Sequence, residues 1–225
     1  MVPPKKLESI KNRIRESCQC KGRGCSICAS KIERLTRYAR AGIPVRYWDL
    51  AFKDFQGDPN FGNFIRTIMS DIEGFYDKGE SLAFIGNLGT GKSYAACCIL
   101  KMGLVNDYSG LYVQMAEIVN NTLSPKVDSA EYLEKLINVD ILVIDEFDPR
   151  WVFPSEKVEK MFGTTLEYIL RTRFQNSMPT VLCSNANDID KVLSNDFARA
   201  FSSLRSMYMK VVLVAGKDFR KNGKN

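Results

Sequence analysis

The chain has 225 residues, 45% of them hydrophobic, which suits one α/β domain of ordinary size with a small appendage and excludes wholesale disorder. It contains no His, so imidazole-based catalysis and His-ligated metal sites are excluded. The net charge of +6 is uneven: residues 1–48 carry 12 Lys/Arg against 3 Asp/Glu, and the remainder carries 20 against 23. A basic arm on a near-neutral body points to a polyanion or an acidic protein face as partner, with a head that is basic only for solubility as the alternative. No apolar run approaches the length of a bilayer span, and the N-terminus is too charged for a signal peptide, so a soluble intracellular protein is expected.

Residues 1–40 read as a charged head: a short helix over Lys5–Ser17, a Cys turn, and a helix from Ala29 to Arg40. Four of the seven cysteines, Cys18, Cys20, Cys25 and Cys28, fall within eleven residues as C-x-C-x₄-C-x₂-C. Four thiolates at this spacing, with Gly22 and Gly24 permitting a tight turn, suit a tetrahedral Zn²⁺ site. An iron–sulfur cluster and redox-labile free thiols remain the alternatives. Cys97, Cys98 and Cys183 lie in apolar segments and read as small buried hydrophobes. Gly42 and Pro44 end the second helix. A connector over 41–60 follows, whose Tyr47, Trp48, Phe52 and Phe55 either pack on the body or cover a nucleotide base.

From residue 61 the pattern is α/β. A helix over 62–78 precedes an apolar strand, Ser81–Ile85. Gly86–Ser93 then reads Gly-Asn-Leu-Gly-Thr-Gly-Lys-Ser, a full match to the phosphate-binding pattern G-x-x-x-x-G-K-[ST]. Gly86 and Gly91 allow a turn that, with Asn87, Leu88, Gly89 and Thr90, aims backbone N–H groups at phosphate oxygens. Lys92 adds a positive charge there, and Ser93 offers a hard oxygen to Mg²⁺. The helix expected over 92–106 starts at the phosphates, where its dipole favours an anion. Strand 110–114, helices 116–123 and 129–137, and an apolar strand across Val139–Glu146 come next. That strand ends in Asp145, suited to the Mg²⁺ shell, and Glu146, suited to polarising an attacking water. A helix over 155–174 leads to strand 180–184, which ends in Ser184-Asn185; the Asn185 amide is placed to touch a γ-phosphate or its attacking water, or else forms a turn or cap. A helix near 189–204 and a strand over 210–214 complete the order, which implies a mostly parallel sheet with helices on both faces.

These residues resemble a family. The P-loop, Ala41-Gly42-Ile43-Pro44 with its aromatic connector, Leu111-Tyr112-Val113, Asp145-Glu146, Arg173-Phe174, Ser184-Asn185 and Gly216–Arg220 are similar to AAA+ ATPases of the bacterial DnaC/DnaI helicase-loader and IstB transposition-helper group. The resemblance spans residues 41–220, and the Cys-bearing head is similar to that of DnaI-like loaders. It implies an AAA+ P-loop body over 61–225, a zinc head over 1–40, and ATP hydrolysis at a subunit interface of a homo-oligomeric spiral or ring. The implied partners are a hexameric replicative helicase and single-stranded DNA, in the cytoplasm of a bacterial or phage-infected cell. A neighbouring subunit would supply an arginine finger. Here the family's Ser-Arg-Leu stretch reads Phe201–Ser206, which selects Arg205, with Arg199 in reserve and Arg173 as a further interface candidate. Two other functions stay open: an IstB-like helper on duplex DNA, and a non-hydrolysing nucleotide-binding adaptor.

Overall fold

The computed structural model describes residues 2–124, 127–147, 155–185, 206–216 and 218. Two helices open the chain, α1 (Pro4–Ser17) and α2 (Ser26–Arg40). α2 starts three residues earlier than the sequence suggests, because Cys25 and Cys28 cap it reciprocally through their sulfurs and backbone N–H groups. Short 3₁₀ turns at Val45–Tyr47 and Phe52–Asp54 lead to α3 (Pro59–Ser70) and α4 (Ile72–Lys78). The sequence reading has one helix over 62–78; the chain instead breaks at Asp71 (φ −137°, ψ 63°), whose carboxylate accepts the Gly74 N–H and caps α4.

Five strands follow the expected order: β1 (Ser81–Ile85), β2 (Gly110–Gln114), β3 (Ile141–Asp145), β4 (Thr180–Ser184) and β5 (Met209–Leu213). They form one parallel sheet in the order β2-β3-β4-β1-β5. The connecting helices are α5 (Lys92–Val105), α6 (Met115–Leu123), α7 (Ser129–Asn138) and α8 (Glu156–Gln175). The reading of Val139–Glu146 as one strand narrows to Ile141–Asp145, since Glu146 turns into the left-handed region at φ 53°.

Alternation along the strands divides the core between the two sheet faces. Leu82, Phe84, Tyr112, Ile141, Val143, Val181 and Cys183 point to the face packed by α3 and α5, together with Leu35, Tyr38 and Ala39 of α2 and with Trp48 and Phe52. Ala83, Ile85, Leu111, Val113, Leu142, Ile144 and Leu182 point to the other, packed by α6, α7 and α8. β2 is an edge strand, yet its outer side is engaged: the Tyr112 N–H donates to the Ala41 carbonyl at 2.7 Å. The backbone passes so close there that a Cβ on Gly42 (φ 73°) would stand 2.5 Å from the Tyr112 oxygen. Because every strand runs the same way, the loops after β1, β3 and β4 emerge along one edge, where ligands of open α/β sheets bind.

Candidate functional site: a phosphate-loop cleft and a four-cysteine cluster

The loop after β1 is wound by three glycines in conformations that suit only glycine: Gly86 at φ 141°, Gly89 at 76° and Gly91 at 94°. Space forbids a side chain there as well. A Cβ on Gly86 would stand 2.4 Å from the Val214 oxygen, one on Gly91 2.6 Å from the Phe55 ring, and one on Gly89 would overlap the Asp218 carboxylate. The loop therefore exposes backbone in place of side chains, and α5 begins directly from it. Lys92 is buried, with its ammonium on the Gly86 carbonyl (2.9 Å), the Asn87 carbonyl (2.6 Å) and the Thr90 hydroxyl (3.3 Å). That places a cation inside the curl of the loop.

A cleft of about 410 Å³ runs from this loop to the aromatic connector. Lys92, Ser93, Asp145, Glu146 and Asn185 line it together with Tyr47, Phe55, Gln56 and Gly57 of the connector. Asp145 is buried. Its Oδ1 accepts the Glu146 N–H at 2.8 Å, and its Oδ2 accepts the hydroxyl of Tyr112, itself buried. Burial, and after it the nearby Asp145 charge, pushes the Tyr112 phenol far above its ordinary range, so it stays a donor at physiological pH. Glu146, by contrast, is exposed, and its left-handed backbone turns it away from the strand while the next N–H, of Phe147, rejoins the Cys183 carbonyl at 2.9 Å. Asn185 follows the last residue of β4 and is exposed to the cleft.

The connector is fastened by α5. Lys101 donates to the Tyr47 and Leu50 carbonyls and Tyr94 to the Ala51 carbonyl. The packing alternative raised for its aromatics is seen on all four, two of which also line the cleft. Trp48 and Phe52 are buried in the core, whereas Tyr47 and Phe55 face the cleft, Phe55 stacked on Phe52 with ring centres 5.0 Å apart.

A second cluster lies in the head. The sulfurs of Cys18, Cys20, Cys25 and Cys28 all lie within 4.8 Å of one another, with Cys18–Cys25 at 3.4 Å and Cys20–Cys28 and Cys25–Cys28 at 3.7 Å. A tetrahedron with a Zn–S distance of about 2.3 Å has edges of about 3.8 Å, so the donor set fits Zn²⁺. The Cys28 N–H first, and then the Cys18 thiol, brings the Cys25 thiol down to about 7, towards the thiolate that a metal requires. Cys97, Cys98 and Cys183 are buried in the core, and burial pushes all three thiols up.

No family model matches the chain. The replicative helicase loader DnaC of Escherichia coli (strain K12) is 29% identical over 167 residues, 71% of this chain and 64% of that one. The chain thus spans less than two thirds of this relative's length. The crystal structure of the DnaI protein superposes with a TM-score of 0.63 at 18% identity, covering 78% of this chain and 93% of that one. The replication initiator DnaA bound to AMPPCP and single-stranded DNA gives a TM-score of 0.59 at 14% identity, with 78% and 51% coverage. The chain is thus similar in sequence to the helicase loader DnaC and shares the fold of the DnaI and DnaA structures.

In this chain the cleft gathers the P-loop residues, Asp145, Glu146 and Asn185 in one place. Arg199 and Arg205, the helix near 189–204 and most of Gly216–Arg220 lie outside the described residues. Arg173 requires a correction. It is not at a surface but fully buried, its guanidinium donating to the carbonyls of Leu136, Ile137, Val139, Asp140 and Pro179 and to the Thr180 hydroxyl. It closes the C-terminal end of α7 against β4 and cannot reach a neighbouring subunit. Sequence reasoning also missed Arg46, which lines the cleft, and Tyr112, which stands behind Asp145. Arg46 stands among the connector aromatics, its guanidinium 4.7 Å from the Tyr47 ring centre. Tyr112 is a phenol among aliphatic strand residues, a position that calls for a buried acceptor.

Proposed function

We propose that this chain is an ATP-dependent helicase loader. It binds ATP·Mg²⁺ in the cleft, self-associates so that the nucleotide lies at a subunit interface, and delivers a hexameric replicative helicase to single-stranded DNA in the cytoplasm of a bacterial or phage-infected cell. The observation that carries the reading is the convergence of Lys92, Ser93, Asp145, Glu146 and Asn185 on one cleft in a DnaC/DnaI-like fold.

The roles follow from the chemistry of each group. Backbone N–H groups of Gly86–Gly91 and the N-terminus of α5 take the phosphates, where Lys92 exchanges loop carbonyls for phosphate oxygens. Ser93 and Asp145 are the residues that would hold Mg²⁺, which supplies neutralisation of phosphate charge. Glu146, exposed and free of the strand ladder, orients the attacking water. Asn185 is proposed to donate its amide N–H to the γ-phosphate or to that water. Arg205 is proposed as the finger donated by a neighbouring subunit. The head, residues 1–40, is proposed to be built on Zn²⁺ held by Cys18, Cys20, Cys25 and Cys28 and to dock on the helicase, while the body grips the DNA backbone.

The test is loading of purified replicative helicase onto circular single-stranded DNA, which offers no free end. Loading is expected with ATP and not without it, and Lys92→Ala is expected to abolish it. Tight ATP binding with neither loading nor helicase binding would overturn the loader function and favour the transposition-helper or adaptor alternatives.

A further inference from the structure

We infer that Tyr112 is a positioning residue of the nucleotide site: it holds the Asp145 carboxylate in the orientation from which Asp145 serves the divalent cation. The inference rests on reading the cleft as an ATP·Mg²⁺ site.

Among the described residues, three carboxylates line the cleft, Asp54, Asp145 and Glu146, and of these Asp145 is buried. Its two oxygens are held by donors from different elements. The Glu146 N–H at the end of β3 holds Oδ1, and the Tyr112 hydroxyl from β2 holds Oδ2. Two donors on opposite oxygens fix the plane of the carboxylate. Each oxygen keeps a second lone pair, so accepting these bonds does not prevent it from facing a cation. A donor beside a metal-binding carboxylate fixes its rotamer and tunes its basicity, and losing such a partner typically weakens metal binding by about 10-fold or more.

Tyr112 is itself held from both ends. Its side chain projects to the same sheet face as Val143, opposite it in the register, which is the face that α5 covers. Its backbone N–H bonds the Ala41 carbonyl on the outer side of the sheet, and Gly42 packs against its carbonyl. With both residues 5% exposed or less, water does not compete for the bond. The plainer account is that a buried phenol needs some acceptor and Asp145 is nearest. On that account removing the hydroxyl lowers stability and does nothing else.

The experiment measures binding of a fluorescent ATP analogue by the full chain across a Mg²⁺ titration and in excess chelator, for wild type, Tyr112→Phe, Asp145→Asn and the double variant. Tyr112→Phe is expected to keep the metal-free affinity and to raise the Mg²⁺ concentration for half-saturation about 10-fold. Added to Asp145→Asn, it is expected to raise it no further. An unchanged Mg²⁺ requirement in Tyr112→Phe, whatever its melting temperature, overturns the inference and leaves the ATP reading standing. A wild-type chain that binds no nucleotide overturns both. Should Tyr112→Phe not fold, 3-fluorotyrosine placed at position 112 keeps the hydroxyl. Its ¹⁹F resonance is expected to move when Mg²⁺ is added to the nucleotide-saturated protein, and a resonance that does not move overturns the inference.

Discussion

Arg173 shows how a single residue can be a chemical centre without being a catalytic one. Its guanidinium has five N–H donors, and the surrounding carbonyls and Thr180 offer a partner to each. Burial brings its pKa down to about 10, with Asp140 and Tyr76 acting against the shift, so it remains charged at neutral pH. Replacing it with Met removes every donor and orphans carbonyls at the end of α7, in the turn after it and at Pro179 just before β4. The expected cost is roughly 3–5 kcal/mol of stability, read as a lower denaturant midpoint, with Arg173→Lys recovering only part of it. An unchanged midpoint together with lost ATPase activity would return Arg173 to the subunit interface. The sequence shows an Arg at the end of a helix, where solvent exposure is the ordinary outcome. Nothing local reveals that the end of another helix, 36 residues earlier at Ile137, lies against it.

Elements carry the next layer of constraint, and the most informative is the edge strand β2. Its outer side is covered by the stretch leaving α2, and the crossing works only because Gly42 lacks a side chain and takes a left-handed turn. Gly42→Ala sets a Cβ 2.5 Å from the Tyr112 oxygen at φ 73° and is expected to destabilise the protein by more than about 1 kcal/mol, measured by thermal unfolding. An unaltered melting temperature would show that the edge is not clamped there. The strands themselves were legible in the sequence, because buried parallel strands are short apolar runs bounded by turn residues. The P-loop was legible because its glycines are required by both conformation and space. The break at Asp71 was not, since no proline marks it and the residues around it suit a continuous helix; a carboxylate cap and Gly74 made the difference. The Asp145–Tyr112 pair was illegible for another reason. Strand pairing decides which side chains meet, and β2 pairs with β3 at a sequence offset of 31 residues.

At the scale of the molecule, the head and the body differ in what holds them. The body encloses two apolar cores around the sheet. In α1 no residue is fully buried, and Leu7, Ile10 and Ile14 are only partly covered. A segment with so little core would take its order from the metal proposed for its cysteine cluster, as small metal domains do. Stripping metal with a chelator is therefore expected to strip hydrogen-exchange protection from residues 4–28 while the strand amides keep theirs; protection that persists in the head would show that no metal organises it. The strand order has a consequence for how the molecule is made. β1 takes its neighbours from Thr180–Ser184 and Met209–Leu213, both much later in the chain. At a synthesis rate of about 5–20 residues per second, β1 leaves the ribosome roughly 5–20 seconds before β4 exists to pair with it. β2 and β3 can join first, and β1 enters only when β4 offers it an edge. The phosphate loop, the earliest-made part of the cleft apart from the connector, must wait for nearly the whole chain before it acquires its shape.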